Sequence, residues 1–221
     1  KNNNIIVIPA RKKSKRFPGK NMKLFSGIPL IAHSILYAKQ SNFGRIVVSS
    51  DDKQVEQICK DYNVEFQNRP AELASDFSPT VDTLKHVLQS VDNDFDNVIL
   101  LQPTNPLRPK NLLREAYAAF NQNKSDSLMS VSRNHQKLGK IVNNQFVPFN
   151  YIMGQRSQDL EPLYYENGLL YITKASLILK DIVLGPNNLP YLVDHPYASV
   201  DIDTIDDLKY AEFILNQYPN A

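Results

Sequence analysis

The feature that most constrains the fold is an alternation of short, continuously apolar runs with segments whose apolar residues recur at helical spacing. NIIVIP (Asn4–Pro9) carries a continuously apolar, β-branched run, and RIVVSS (Arg45–Ser50) and NVILL (97–101) read as further short strands with apolar centres. Such runs suit strands buried on both faces, as in the middle of a parallel sheet. Between them, residues 29–41 carry Leu30, Ile31, Ile35 and Leu36 on one helical face. Residues 51–63 do the same with Val55, Ile58, Cys59 and Tyr62, and residues 78–91 with Val81, Leu84, Val87 and Leu88. Residues 64–67 read as a brief strand and 110–123 as a further helix. This βα order predicts an α/β fold with a doubly wound, mostly parallel sheet, in which ligands bind beyond the carboxyl ends of the strands.

After a strand at 127–131 the pattern changes. Residues 135–159 are polar and irregular, with possible hairpin strands near 140–142 and 145–149, and are expected to form a lid or interface arm. Regular structure is expected again as a strand at 169–173, a helix at 174–179, a strand at 198–202 and a closing helix at 204–217. No repeat, low-complexity tract or flexible linker interrupts the chain, so residues 1–221 are expected to form one domain with an insertion at about 135–159.

The net charge is only +2, from 25 basic and 23 acidic residues, yet six of the ten residues from Arg11 to Lys20 are cationic. The charge is local and needs a local reason. A loop between a first strand and a first helix suits an anion held by backbone N–H groups and cationic side chains. The chain has no GxxxxGK[ST] and no GxGxxG, so phosphate binding would rest on Arg11, Lys20 and Lys15 or Arg16. A solvated basic loop and a nucleic-acid patch are the alternatives. Phe17 is the only aromatic in the loop, which argues against stacked bases and for no nucleic-acid partner.

A second cluster is Val200-Asp201-Ile202-Asp203. On a strand, Asp201 and Asp203 share a face, and adjacent carboxylates call for a cation. Mg²⁺ takes one or two carboxylates together with phosphate oxygens. The competing reading is helix capping, since Thr204-x-x-Asp207 has the form of a capping box. Capping accounts for Asp206 and Asp207 but poorly for Asp201. Together the two clusters suggest a nucleoside triphosphate with its metal, and hence phosphoryl or nucleotidyl transfer.

Other features read as structural. Cys59 lies on an apolar helix face, and as the single cysteine it excludes an internal disulfide. His135 and His195 lack spaced partners, Asn167-Gly168 suggests a tight turn, and Tyr164-Tyr165 suggests packing. No apolar run reaches the roughly 20 residues of a membrane span and no signal-like segment opens the chain, so a cytoplasmic protein without a membrane partner is expected.

The motifs IPARKKSKRFPGKN, RPAELASD, LLQPTNPLR, NGLLYI and SVDIDTIDDLKYAE occur in that order. In these the chain resembles the CMP-sialic acid synthetases (acylneuraminate cytidylyltransferases) and their relatives for legionaminic, pseudaminic and Kdo sugars, from Ile5 to about Leu215. The resemblance implies a nucleotidyltransferase-type, Rossmann-like fold that makes a CMP-sugar and pyrophosphate from CTP and a nonulosonic acid. It implies triphosphate contacts at Arg11 and Lys20, a nucleotide contact at Asn21, and cytosine and ribose recognition at Arg69 and around Ser78 to Thr80. It implies acceptor contacts at Gln102, Arg156 and Tyr171, and Mg²⁺ (or Mn²⁺) at Asp201 and Asp203. It also implies a homodimer whose insertion reaches the partner's site. Lys12-Lys13 replaces two glycines usual in the family. Leu184-Gly185 aligns near an acyl pocket that often carries two phenylalanines. Another sugar nucleotidyltransferase, or a nucleotide-binding regulatory protein without turnover, are the rival readings.

Overall fold

Ile5, Ile6, Val7 and Ile8 are completely buried, as a strand covered on both faces requires. They form β1 (Asn4–Pro9) in a computed structural model that describes residues 3–75, 78–92 and 94–219. Asp76, which ends the RPAELASD motif, lies outside the described residues.

A short hairpin of β2 (Leu24–Phe25) and β3 (Ile28–Pro29) leads into α1 (Leu30–Ser41). There follow β4 (Arg45–Ser50), α2 (Lys53–Asp61), β5 (Glu65–Asn68), α3 (Thr80–Ser90), β6 (Asn97–Leu100), α4 (Leu112–Gln122) and β7 (Ser127–Asn134). Next come β8 (Gly139–Val142), β9 (Gln145–Pro148), β10 (Leu163–Lys174), α5 (Ala175–Ile178), β11 (Asn188–Leu192) and α6 (Ile205–Gln217). The main sheet runs β11-β7-β10-β6-β1-β4-β5. Its pairs are parallel except where β10 runs against β6 and β7, so the expected mostly parallel α/β sheet is present.

The alternation along β1 divides the core. Ile6 and Ile8 face α1, α2 and α4 through Ile31, Ile35, Cys59 and Leu113. Ile5 and Val7 face α3 and α5 through Leu84, Val87 and Ile178. A third cluster lies beyond the strands' carboxyl ends. There Phe17, Phe25, Leu107, Val200 and Ile202 pack against Leu208, Ala211 and Ile214 of α6. It clamps the basic loop, the 102–109 turn and the aspartate segment onto one helix.

Three local expectations are corrected, and one strand is added. Residues 198–202 are not a strand. Pro196–Ser199 is a 3₁₀ turn, and an extended segment follows, held by Ile202 N–H donating to Thr104 O at 2.7 Å. Asn167-Gly168 is no hairpin turn but lies in a bulge within β10, where the register with β7 shifts between Glu166 and Tyr171. Tyr164 and Tyr165 are exposed because β10 outruns the covered part of the sheet; Arg133 lies over the Tyr164 ring. β11 was not foreseen, and it pairs parallel with β7 at the sheet's edge.

The insertion does contain a hairpin, β8–β9, which is separate from the main sheet. Its base is tied by Asn150, which accepts from Leu138 N–H and donates to Gln136 O. No helix among the described residues is long and apolar enough to cross a membrane.

Candidate active site

At Pro9 the chain leaves β1. Ala10 N–H still donates to Ser49 O, and Lys12 N–H donates to Asp51 Oδ1 at 2.6 Å. The loop at the place of the family's glycines is thus anchored through a backbone amide. Phe17 then turns into the third apolar cluster. Gly19 adopts φ +67°, and Asn21 Nδ2 donates to Arg11 O at 3.0 Å, closing the loop at its base. The burial of Phe17 orients the flanking cations toward the cleft.

That cleft lies at the carboxyl edge of the sheet, as expected. One lobe, about 500 Å³, is lined by Arg11, Lys15, Lys20, Asn21, Arg69, Ser78, Thr80 and Gln102 among others. A smaller lobe of about 300 Å³ is lined by Gln102, Thr104, Glu166, Tyr171, Asp201 and Asp203 among others. The lobes share Gln102, Thr104 and Asp203. A hollow of similar size lies at the amino edge beside Phe95, Lys124 and Lys174, so volume alone does not single out the cleft. The convergence of charged side chains does.

Lys20 Nζ lies 2.8 Å from Asp203 Oδ1, and Arg16 Nη2 donates to Asp203 Oδ2. The cation expected on phosphate and the carboxylate expected on metal hold each other. Asp201 is arranged differently. Its carboxyl is pushed above the usual aspartate range, first by burial and further by the charge of Asp203, against a hydrogen bond from Thr104. Thr204 and Asp207 form a true capping box on α6, so capping accounts for Asp207 and leaves Asp201 and Asp203 to the cleft. Burial opposes ionisation of Asp207, but hydrogen bonds from Asp203 N–H and Thr204 hold its carboxyl below the ordinary range.

Arg69 is buried in the wall of the larger lobe, with Nη2 on Ser49 O at 2.8 Å and Nε on Ser49 Oγ. Burial lowers its guanidinium to about 10, with Arg11 pushing the same way, and it stays charged at neutral pH. Ser78 Oγ donates to Glu72 O. The Tyr171 hydroxyl donates to Glu166 Oε2 at 2.9 Å, and burial followed by that partner raises the phenol's pKa.

Two expected acceptor positions do not reach this cleft within one chain. Arg156 lies in the insertion and pairs with Asp159 at 2.7 Å, because that segment extends away from the sheet. Leu184-Gly185 sits at the opposite, amino edge, where Gly185 N–H donates to Ser127 Oγ at the start of β7.

Two residues that line the site, and one buried behind it, were not singled out in the sequence. Glu166 enters through the β10 bulge. Arg108 is buried and its fork donates to Leu169 O, Ser34 Oγ and Gln102 O at 2.7–3.0 Å. Burial lowers its pKa to about 10. Asn105 Nδ2 donates to both Asn167 O and Val200 O, tying the bulge to the aspartate segment. The signal for Arg108 and Asn105 was their place in LLQPTNPLR, but a turn motif does not say which side chains fold inward.

The family model described as cytidylyltransferase matches residues 5–213. The chain is 33% identical over 222 residues to a pseudaminic acid cytidylyltransferase of Campylobacter jejuni, covering 96% of this chain and 95% of that one. It is 36% identical over 226 residues to a CMP-N,N'-diacetyllegionaminic acid synthase of Legionella pneumophila, with the same coverage. An N-acylneuraminate cytidylyltransferase of Streptococcus agalactiae is 32% identical over 92% of this chain, which spans 51% of that protein. Among solved structures, a CMP:2-keto-3-deoxy-manno-octonic acid synthetase complexed with CTP superposes with a TM-score of 0.73 over 97% of this chain and 99% of that one. At 18% identity, that is a likeness of fold alone.

Proposed function

The chain belongs to the cytidylyltransferase family, and from that premise we propose that it transfers CMP from CTP to the anomeric hydroxyl of a nonulosonic acid, releasing pyrophosphate. The observation that carries this reading is the Lys20–Asp203 contact at 2.8 Å. It brings the phosphate-type loop after β1 and the aspartate segment before α6 into one cleft, joined to a second lobe by Gln102. Both the relatives named for pseudaminic and for legionaminic acid match over nearly the whole chain, which supports an acceptor of this nine-carbon acidic sugar class.

In this reading Arg11, Lys15 and Lys20 neutralise the triphosphate, and Arg11 and Lys20 stabilise the charge that grows on the leaving pyrophosphate. Arg69, Asn21, Ser78 and Thr80 border the base and ribose. Gln102 and Tyr171 orient the sugar so that its hydroxyl faces the α-phosphorus, and holding both reactants in line is a large part of the rate enhancement. The donor set fits a divalent cation. Asp201 and Asp203 are two carboxylates on the same lobe, the former raised by burial and then by the charge of the latter. Two carboxylates from the chain suit Mg²⁺ whose coordination is completed by substrate phosphates, with Mn²⁺ as a substitute. Held by Asp201 and Asp203, such an ion supplies charge neutralisation and polarisation of the attacking hydroxyl.

The insertion completes the proposal. Ile141, Phe146, Phe149, Ile152 and Met153 are all exposed on it, Ile141 by 80%. We assign it as the contact arm of a homodimer, which would also bring Arg156 to the partner's acceptor lobe.

The test is a matrix of CTP, UTP and ATP against sialic, legionaminic, pseudaminic and Kdo acceptors with Mg²⁺, followed by CMP-sugar detection. Product with CTP and one nonulosonic acid is expected. Product only with another nucleotide, or only with Kdo, would overturn the assignment.

A further inference from the structure

Glu166 and Tyr171 are five residues apart on β10, a spacing that puts side chains on opposite faces of a regular strand. Here Glu166 pairs with Val131 and Tyr171 with Met129. Their partners are only two residues apart, so the bulge absorbs three residues and returns both side chains to one face. A bulge beside an active site commonly re-aims a side chain in this way.

The bulge is built firmly. Gly168 has φ +76°, and a Cβ there would lie 2.8 Å from Asn105 Oδ1. Asn167 is buried; it accepts from Ser130 Oγ and from Leu169 N–H and donates to Ser132 Oγ. Asn105 holds Asn167 O from the opposite side. Glu166 is therefore set over the smaller lobe by a hydrogen-bonded scaffold, with the Tyr171 hydroxyl donating to its Oε2.

The lining of that lobe includes three carboxylates and no lysine or arginine. Asp203 is met by Lys20 and Arg16, and Asp201 lines the lobe beside it. Glu166 has no cation within ion-pair distance among the described residues, and one of its oxygens accepts from the phenol. Its other oxygen accepts no hydrogen bond from the described residues, and the side chain lines the lobe.

We propose that Glu166 is a specificity-determining residue that accepts a hydrogen bond from a hydroxyl or amide N–H of the acceptor sugar, with Tyr171 holding its carboxylate in place. The inference rests on the nonulosonic-acid reading above. The acceptor is thus chosen by a donor-bearing substituent, not only by its carboxylate.

The experiment is steady-state pyrophosphate release for wild type, Glu166→Ala, Glu166→Gln and Tyr171→Phe, varying the nonulosonic acid that the wild type uses best and, separately, CTP. Loss of a hydrogen bond to a charged acceptor predicts an acceptor KM raised about tenfold in Glu166→Ala. Glu166→Gln should recover part of that loss, Tyr171→Phe should show a smaller rise, and the KM for CTP should stay within about twofold in all three. An unchanged acceptor KM in Glu166→Ala would overturn the inference while leaving the transfer reaction standing. Equal rises for both substrates would also overturn it, by showing a general distortion of the cleft. Absence of wild-type turnover with every nonulosonic acid would sink the parent reading and this inference with it.

Discussion

The cleft and the β8–β9 arm solve opposite problems. In the cleft, polar and charged groups find partners within the chain: Lys20 and Arg16 on Asp203, Arg69 on Ser49, Arg108 on three oxygens, Asn105 on two carbonyls. Even so it remains open to a ligand. In the arm, the backbone is paired, but Ile141 and Ile152 are 80% and 79% exposed. A monomer that exposes a cluster of large apolar side chains usually covers it elsewhere. The cleft is self-sufficient as scaffold and incomplete as chemistry, whereas the arm is incomplete as packing.

That contrast can be broken at three points, in decreasing order of effect. Lys20→Ala removes one of the loop's two contacts with Asp203, leaving that of Arg16, and takes a cation from the larger lobe. It should lower kcat/KM for CTP about a hundredfold, read by pyrophosphate release, with the far-UV circular dichroism spectrum unchanged. A loss of less than threefold would dissociate the loop from the reaction. Gly168→Ala attacks the scaffold. The left-handed backbone costs about 1–2 kcal/mol for a residue with a Cβ, and the contact with Asn105 adds to it, so urea unfolding should register a destabilisation of about 2 kcal/mol or more. A neutral effect would mean that the bulge relaxes freely. In the arm, the double variant Ile141→Asp, Ile152→Asp should change unfolding stability measured at high dilution by under about 0.5 kcal/mol, since both side chains are solvated in one chain. It should nevertheless shift sedimentation velocity from dimer to monomer. A large stability loss with no change in association would show the arm packing on its own chain.

The main sheet was legible because its central strands carry the burial pattern in their composition: β1, β4 and β6 are apolar runs, and α2 and α3 show their buried faces as regular spacing. β11 was not, because Asn188–Leu192 alternates exposed and half-buried positions around Pro190, as an edge strand tolerates. The SVDID segment is instructive in another way. Its alternation is real, with Val200 and Ile202 buried at 1% and 0%, and it does bring both aspartates to the cleft. What it lacks is a neighbouring strand, and periodicity cannot report whether a ladder partner exists. The charged members of the site were legible because a dense cationic loop on a chain of net charge +2 is conspicuous. Glu166 and Arg108 were not. The first depends on a bulge that inverts the strand's facing rule, and the second is a cation folded under its own turn, where sequence suggests solvent.

The most direct test of the account is pyrophosphate release by Asp201→Asn beside wild type, with CTP, Mg²⁺ and each nonulosonic acid, paired with CTP binding by calorimetry on both proteins. The account predicts release by the wild type with one acceptor, a loss of at least about a hundredfold in the variant, and retained CTP binding in both. Wild-type turnover matched by Asp201→Asn, or CTP binding without release for any acceptor, would contradict it.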